Sequence, residues 1–197
     1  MQSKLPLRRR RLEQRHPVAD IDKFASSLLE EAKRFLEKAP AEGDPDGQAA
    51  YLHAALNLAF CSLEAHINAV AEELAAHPEF SSPHDQGVFL EKEVRLEDGE
   101  FKLKALRIYR LDDRILFLHK RVTGKSLDKA VTWWSELAVA MNLRNKLTHP
   151  KEPPQITVDS VKRAMQAVID AIDAVYRGIY GSGLPAAGFG LQSKMTF

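Results

Sequence analysis

YLHAALNLAFCSLEAHINAVAEEL, residues 51–74, decides what kind of protein this is. Leu52, Leu56, Ala59, Leu63, Ile67, Val70 and Leu74 follow one another at steps of four, three, four, four, three and four. That is the 3.6-residue period of a helix with one apolar face. It is the cleanest stripe in the chain and predicts a core helix over about 48–76. Glu64 and Asn68 sit four apart on its flank, and His66 lies nearer the apolar face.

Working outward, the same period recurs. Phe24, Leu28, Leu29, Phe35 and Leu36 predict a helix over about 20–38, closed by the turn-rich PAEGDPDG at 40–47. HPEFSSPHDQG at 77–87 breaks the core helix. EVRLEDGEFKLK then changes period: Val94 and Leu96 alternate with charges, as do Phe101 and Leu103, around Asp98-Gly99. This pattern predicts a β-hairpin within 88–109. A short helix follows at 111–122, with Asp112 and Asp113 in its first turn and Gly124 after it. Ser126 is a candidate N-cap for a helix running to Thr148, with Leu127, Ala130, Val131, Trp134, Leu137, Ala138 and Met141 as its stripe. A last helix covers 158–180 and stops at Gly181. The predicted fold is mainly α: an antiparallel, up-and-down bundle of four to five helices with a hairpin insertion around 88–109. Residues 1–17 form a flexible basic arm, 18–181 one domain, and 182–197 a flexible tail.

Composition narrows the function classes. The chain has 197 residues, 45% hydrophobic and 28% charged, with a net charge of +1, so no bulk field draws it to nucleic acid. Affinity for a polyanion has to come from local clusters such as Arg8–Arg11. The single cysteine, Cys61, allows no internal disulfide framework and fits a reducing compartment. No apolar run reaches the roughly 20 residues that span a bilayer, and no apolar segment follows the basic start. The expectation is a cytoplasmic protein with no membrane partner. Seven histidines and one cysteine are scattered without metal-ligand spacing, and neither a P-loop nor a G-x-G-x-x-G is present, so no metal or cofactor is expected. Trp133-Trp134 read as core rather than as a base-stacking platform, and Cys61, mid-helix with no base assigned to it, does not read as a nucleophile.

The chemistry concentrates in LRNKLTHPKEPP, residues 143–154. An arginine with a histidine five positions on occurs three times, as Arg11–His16, Arg114–His119 and Arg144–His149. The first pair lies in the arm and has no scaffold. The second lies inside a helix, where five steps carry the side chains apart, and only apolar residues separate the two. In the third, Asn145 follows the arginine, and Pro150 ends the helix at His149. On a continued helix Asn145 would project on the Val131–Ala138 side, taken as core-facing, with His149 near it and Arg144 at the stripe's edge. A burial of that kind would need partners. The alternative is an ordinary helix end, where cations, Asn, His and Pro are all common.

At R-N-K-L-T-H the chain resembles the HEPN family of helical domains, which carry Arg, a polar residue and then His between their last two long helices. The resemblance spans about 20–180, with CSLEAHINAVAEEL similar to the family's early helix and the hairpin similar to an insertion in some members. It implies a homodimer in which two motif copies share a cleft and cleave RNA without metal. Arg144 would then stabilise the phosphorane, Asn145 would orient His149 or the phosphate, and His149 would be the base for the 2′-hydroxyl. Glu64 would fix Arg144, with Asn68 accessory. Members act as toxins, with a cognate antitoxin as partner, or in defence and stress; others are non-catalytic nucleotide- or partner-binding scaffolds.

Overall fold

A computed structural model describes residues 17–80 and 82–197. The Arg8–Arg11 cluster and the Arg11–His16 pair lie outside the described residues. The protein is mainly helical with one small antiparallel hairpin. Its elements are α1 (Pro17–Lys38), α2 (Pro45–Ala75), α3 (Pro83–Phe89), β1 (Lys92–Glu97), β2 (Glu100–Leu106), α4 (Leu111–Thr123), α5 (Thr132–Thr148) and α6 (Val158–Tyr180).

The α2 helix is the centre, and it touches all five other helices. It begins on an Asp44 cap, whose carboxylate accepts the Gly47 N–H at 2.8 Å, with Pro45 at the first helical position. Each residue of its predicted stripe is at most 2% exposed. Phe60, Ser62, His66, Ala69 and Ala71 are buried too, so α2 is covered on more than one face, as a central helix must be. Contacts between residue pairs set directions. Ser62 Oγ donates to Ala25 O at 2.8 Å and Gln48 Nε2 to Ala39 O at 3.0 Å, so α1 runs antiparallel to α2. His66 meets Tyr176, and Glu73 meets Tyr180, so α2 and α6 run the same way.

Three local readings change. The break expected at 77–87 contains α3: Ser82 accepts the Asp85 N–H at 3.1 Å and Pro83 opens the helix. The helix expected from Ser126 starts at Thr132, and Leu127 and Ala130 are outside it. Asp128 explains the delay, because its Oδ1 takes the Ala130 N–H at 2.9 Å and holds a local turn that competes with helix. Phe24, read as core, is 60% exposed, and α1 is instead buried through Ala25, Leu28, Leu29, Ala32 and Leu36.

The hairpin turns at Asp98-Gly99, with φ of 54° and 84°, as a type I′ turn requires of both central residues. Val94 pairs with Leu103 and Leu96 with Phe101, while Lys92 pairs with Leu106. Two steps on β1 thus match three on β2, a bulge that brings Leu106 onto the face of Val94, Leu96, Phe101 and Leu103. Gly87 on α3 supports this face; a Cβ there would lie 2.5 Å from Val94 Cγ2. Residues 182–197, expected as a loose tail, lie against α1 and α6. Leu184 N–H donates to Asp173 Oδ1 and Ser193 Oγ to Glu30 O, both at 2.8 Å. The Phe197 ring packs edge-on against Phe35. By length and composition α2 alone among the described residues could cross a membrane, and 61% of that apolar window is buried within the fold.

Candidate functional site where α5 meets α2

The α5 helix carries apolar side chains on several sides. Leu137 and Ala140 are buried, Trp133, Met141 and Leu147 pack partly against the core, and Val139 on the outer side is 63% exposed. Stepping from Trp133 through Leu137 and Ala140 leads to Arg144, which therefore faces inward over α2. Arg144 is half-buried. Its Nη2 forms an ion pair with Glu64 Oε1, and its guanidinium lies over the Phe60 ring, 5.4 Å from the centroid. Both partners belong to α2, so one helix supplies the counter-charge and the flat apolar support.

Asn145 is exposed. This reverses the expectation that it would point into the core. The Val131–Ala138 phase used residues that precede the helix, and packing turned the other side of α5 inward. Its Oδ1 accepts Arg144 Nη1 at 3.4 Å, a long contact. His149 closes α5: its N–H donates to Asn145 O at 2.9 Å and its backbone leaves the helical region at φ −129°, ψ 60°, as the following Pro150 demands. His149 is exposed, and among the described residues no hydrogen bond or ion pair engages its ring. Thr148 Oγ1 donates to Arg144 O at 3.1 Å, tying the last turn together.

Of the five residues named from sequence, the fold brings Arg144, Asn145 and Glu64 into one bonded group and sets His149 at the same helix end. Asn68 turns elsewhere. Its Oδ1 accepts Arg114 Nη1 at 2.8 Å. Arg114, set aside with His119, is a buried cation only 5% exposed. It also reaches Glu91 Oε2 at 3.2 Å and Phe89 O at 3.5 Å, joining α4, α2 and the root of the hairpin. Burial lowers its pKa, while the carboxylates of Glu91 and Glu64 pull the other way. Glu64 therefore feels two arginines, one half-open and one buried. The signal was present in sequence: Arg114 shares the α4 face of Ile115 and Leu118, which are 0% and 2% exposed. Glu91 sits at φ 50° and holds the hairpin root, taking Arg107 N–H on its carbonyl and Tyr109 N–H on its carboxylate.

Cys61 lies one turn before Glu64. Burial, and then the Glu64 carboxylate, raise its thiol pKa against the lowering effect of Arg144, which works against a thiolate. His66 is buried on α2, with Nδ1 3.0 Å from Tyr176 Oη, and Tyr176 donates to Asp22 at 2.5 Å. Its partners are on α6 and α1 rather than at Arg144. Trp133 and Trp134 pack edge to face and lie against the core. Among the described residues no three His, Cys, Asp or Glu side chains converge as metal ligands would.

No protein-family model, curated protein or solved structure matches this chain.

Proposed function

We propose that this chain is a homodimeric, metal-independent endoribonuclease of the HEPN-like helical-bundle type, working in the cytoplasm. One observation carries the reading: Arg144 is anchored on α2 by Glu64 and Phe60, while Asn145 and His149 stand open at the same end of α5. A fixed guanidinium beside an unengaged imidazole suits phosphodiester cleavage. His149 takes the proton of an RNA 2′-hydroxyl, and the 2′-oxygen attacks the adjacent phosphorus. Arg144 forks onto the phosphorane oxygens as charge builds on them. The 5′-oxygen leaves with a proton from the second copy's motif, and a 2′,3′-cyclic phosphate remains. The outer side of α5 favours a second copy, because Val139 and Leu143 border a groove between α5 and α6 that Glu136, Lys146 and Arg163 also line. A toxin or defence role, with an antitoxin as partner, follows from the same resemblance.

A second reading has its own observation. Glu64 already neutralises Arg144, and a phosphate has to displace or share that partner. A non-catalytic dimeric scaffold that binds a nucleotide or protein fits that pairing. Incubation with RNA in EDTA separates the two. Cleavage by the wild type that disappears in both His149→Ala and Arg144→Ala supports the enzyme. No cleavage by the wild type, or equal cleavage by all three, removes it.

A further inference from the structure

The hairpin carries an apolar face that the fold does not use. On it Phe101, Leu106 and Leu96 are 54%, 66% and 64% exposed; Ile108, two residues past the end of β2, is 79% exposed. Among the described residues α3 packs on this face, through Gly87 against Val94 and His84 beside Phe101 at 5.7 Å. The β2 bulge keeps Leu106 on this face rather than turning it away, so the apolar stripe continues past the point where simple alternation would end it. Within the described residues the sheet has two strands, and both outer edges are open. An open edge beside exposed apolar side chains is the geometry of strand addition.

Charge chooses the occupant. Residues 100–110 hold Lys102, Lys104, Arg107 and Arg110 against the single carboxylate Glu100. The acids Glu93, Glu97 and Asp98 lie on β1 and the turn. Lys102 pairs with Asp98 at 3.3 Å and Lys104 with Glu97 at 2.5 Å, both from the β1 side of the ribbon, and Arg110 with Asp112 at 2.7 Å. These pairs are solvent-exposed and weak, so a partner's carboxylates can share the cations, which are concentrated on the β2 side. A second copy paired antiparallel about Leu103 would set Lys102 opposite Lys104 twice, which like charges oppose. Nucleic acid would take the lysines but leave Leu96, Leu103, Leu106 and Ile108 without stacking partners. We propose that the β2 edge and its apolar face dock an extended segment of a partner protein in which acidic and apolar residues alternate. This surface is independent of the reaction assigned to Arg144 and His149.

The test uses the full chain and a fluorescent peptide the length of β2, alternating Glu with Val or Leu, beside the same peptide with Lys for Glu. Anisotropy is expected to show saturable binding of the acidic peptide, about tenfold or more tighter than the basic one. Binding should be lost in Leu103→Glu/Leu106→Glu. The exchange Lys102→Glu/Lys104→Glu, which leaves the apolar face intact, should transfer preference to the basic peptide. Helical circular dichroism of both variants confirms that they are folded. Binding of neither peptide, equal binding of both, or binding unaltered by the charge exchange overturns the proposal. So does single-stranded RNA that binds and is released by Phe101→Ala, which would assign the face to nucleic acid. A dimer that Leu103→Glu dissociates in sedimentation would assign it to a second copy.

Discussion

Arg144 on α5 and Glu64 on α2 lie 80 residues apart in the chain and form an ion pair, with the guanidinium resting on Phe60 four residues before Glu64. The pair is a tether between the last turn of one helix and the middle of another. Its side chains remain 26% and 44% exposed, so water weakens the attraction. A double-mutant cycle of Arg144→Ala and Glu64→Gln, read by urea denaturation, should return a coupling of about 0–1 kcal/mol. A coupling near 3 kcal/mol would instead mark a desolvated pair. On the ribonuclease reading, Glu64→Gln also slows RNA cleavage by roughly tenfold, the size of a lost supporting contact.

The end of α5 should separate function from stability. His149→Ala and Asn145→Ala remove exposed side chains, and each should shift stability by no more than about 0.5 kcal/mol. Leu137→Ala, three turns earlier on the same helix and 0% exposed, should cost about 2–5 kcal/mol. Thermal melts of the three variants check the contrast. A His149→Ala variant as unstable as Leu137→Ala would make His149 a structural cap.

Asp85 on α3 takes both arms of Arg121 from α4, at 2.7 and 2.6 Å. Burial alone would raise its carboxyl, but the Arg121 hydrogen bonds and charge outweigh burial and hold it below the usual carboxylate range. A carboxylate depressed in the folded state contributes stability that is present above its unfolded pKa. That stability disappears as pH falls through the folded value. Asp85→Asn should therefore cost about 1–3 kcal/mol at neutral pH. The gap to wild type should narrow as pH falls below the usual carboxylate range and through the depressed folded value. Urea midpoints across pH test this; a gap that widens on acidification contradicts the assignment.

Gly87 reverses a familiar expectation. Gly→Ala within a helix ordinarily stabilises by about 1 kcal/mol. Here the added Cβ meets Val94 Cγ2 at 2.5 Å and Lys92 O at 3.0 Å. Gly87→Ala should destabilise by about 1–3 kcal/mol and loosen the hairpin from α3. Limited proteolysis within 92–106, faster in the variant, is the readout. A variant with a raised melting point and unchanged proteolysis would mean that Val94 gives way freely.

Much of the helical framework was legible because its signals are local. The α6 bounds follow from the Thr157 cap and from Gly181, whose φ is 73°. The hairpin follows from alternation around Asp98-Gly99. The bulge was not read, because period-two alternation passes over the three-residue step from Leu103 to Leu106 that the strand register reveals. The start of α5 was not either, because Asp128 bonds the Ala130 N–H and holds a turn, and a list of helix propensities does not rank the Ser126 N-cap against that turn.

By itself the sequence determined that the protein is mainly helical, where most helices stop, and which side of α2 is apolar. These follow from side-chain periodicity and backbone capping within a few residues. Only the tertiary structure decided which side of α5 faces inward. That helix is apolar on more than one side, so packing against α2 set its rotation, turning Arg144 toward Glu64 and leaving Asn145 in water. The same holds for Arg114. No local rule buries an arginine; a site where Asn68, Glu91 and Phe89 O converge can, because each supplies an acceptor that water would otherwise provide.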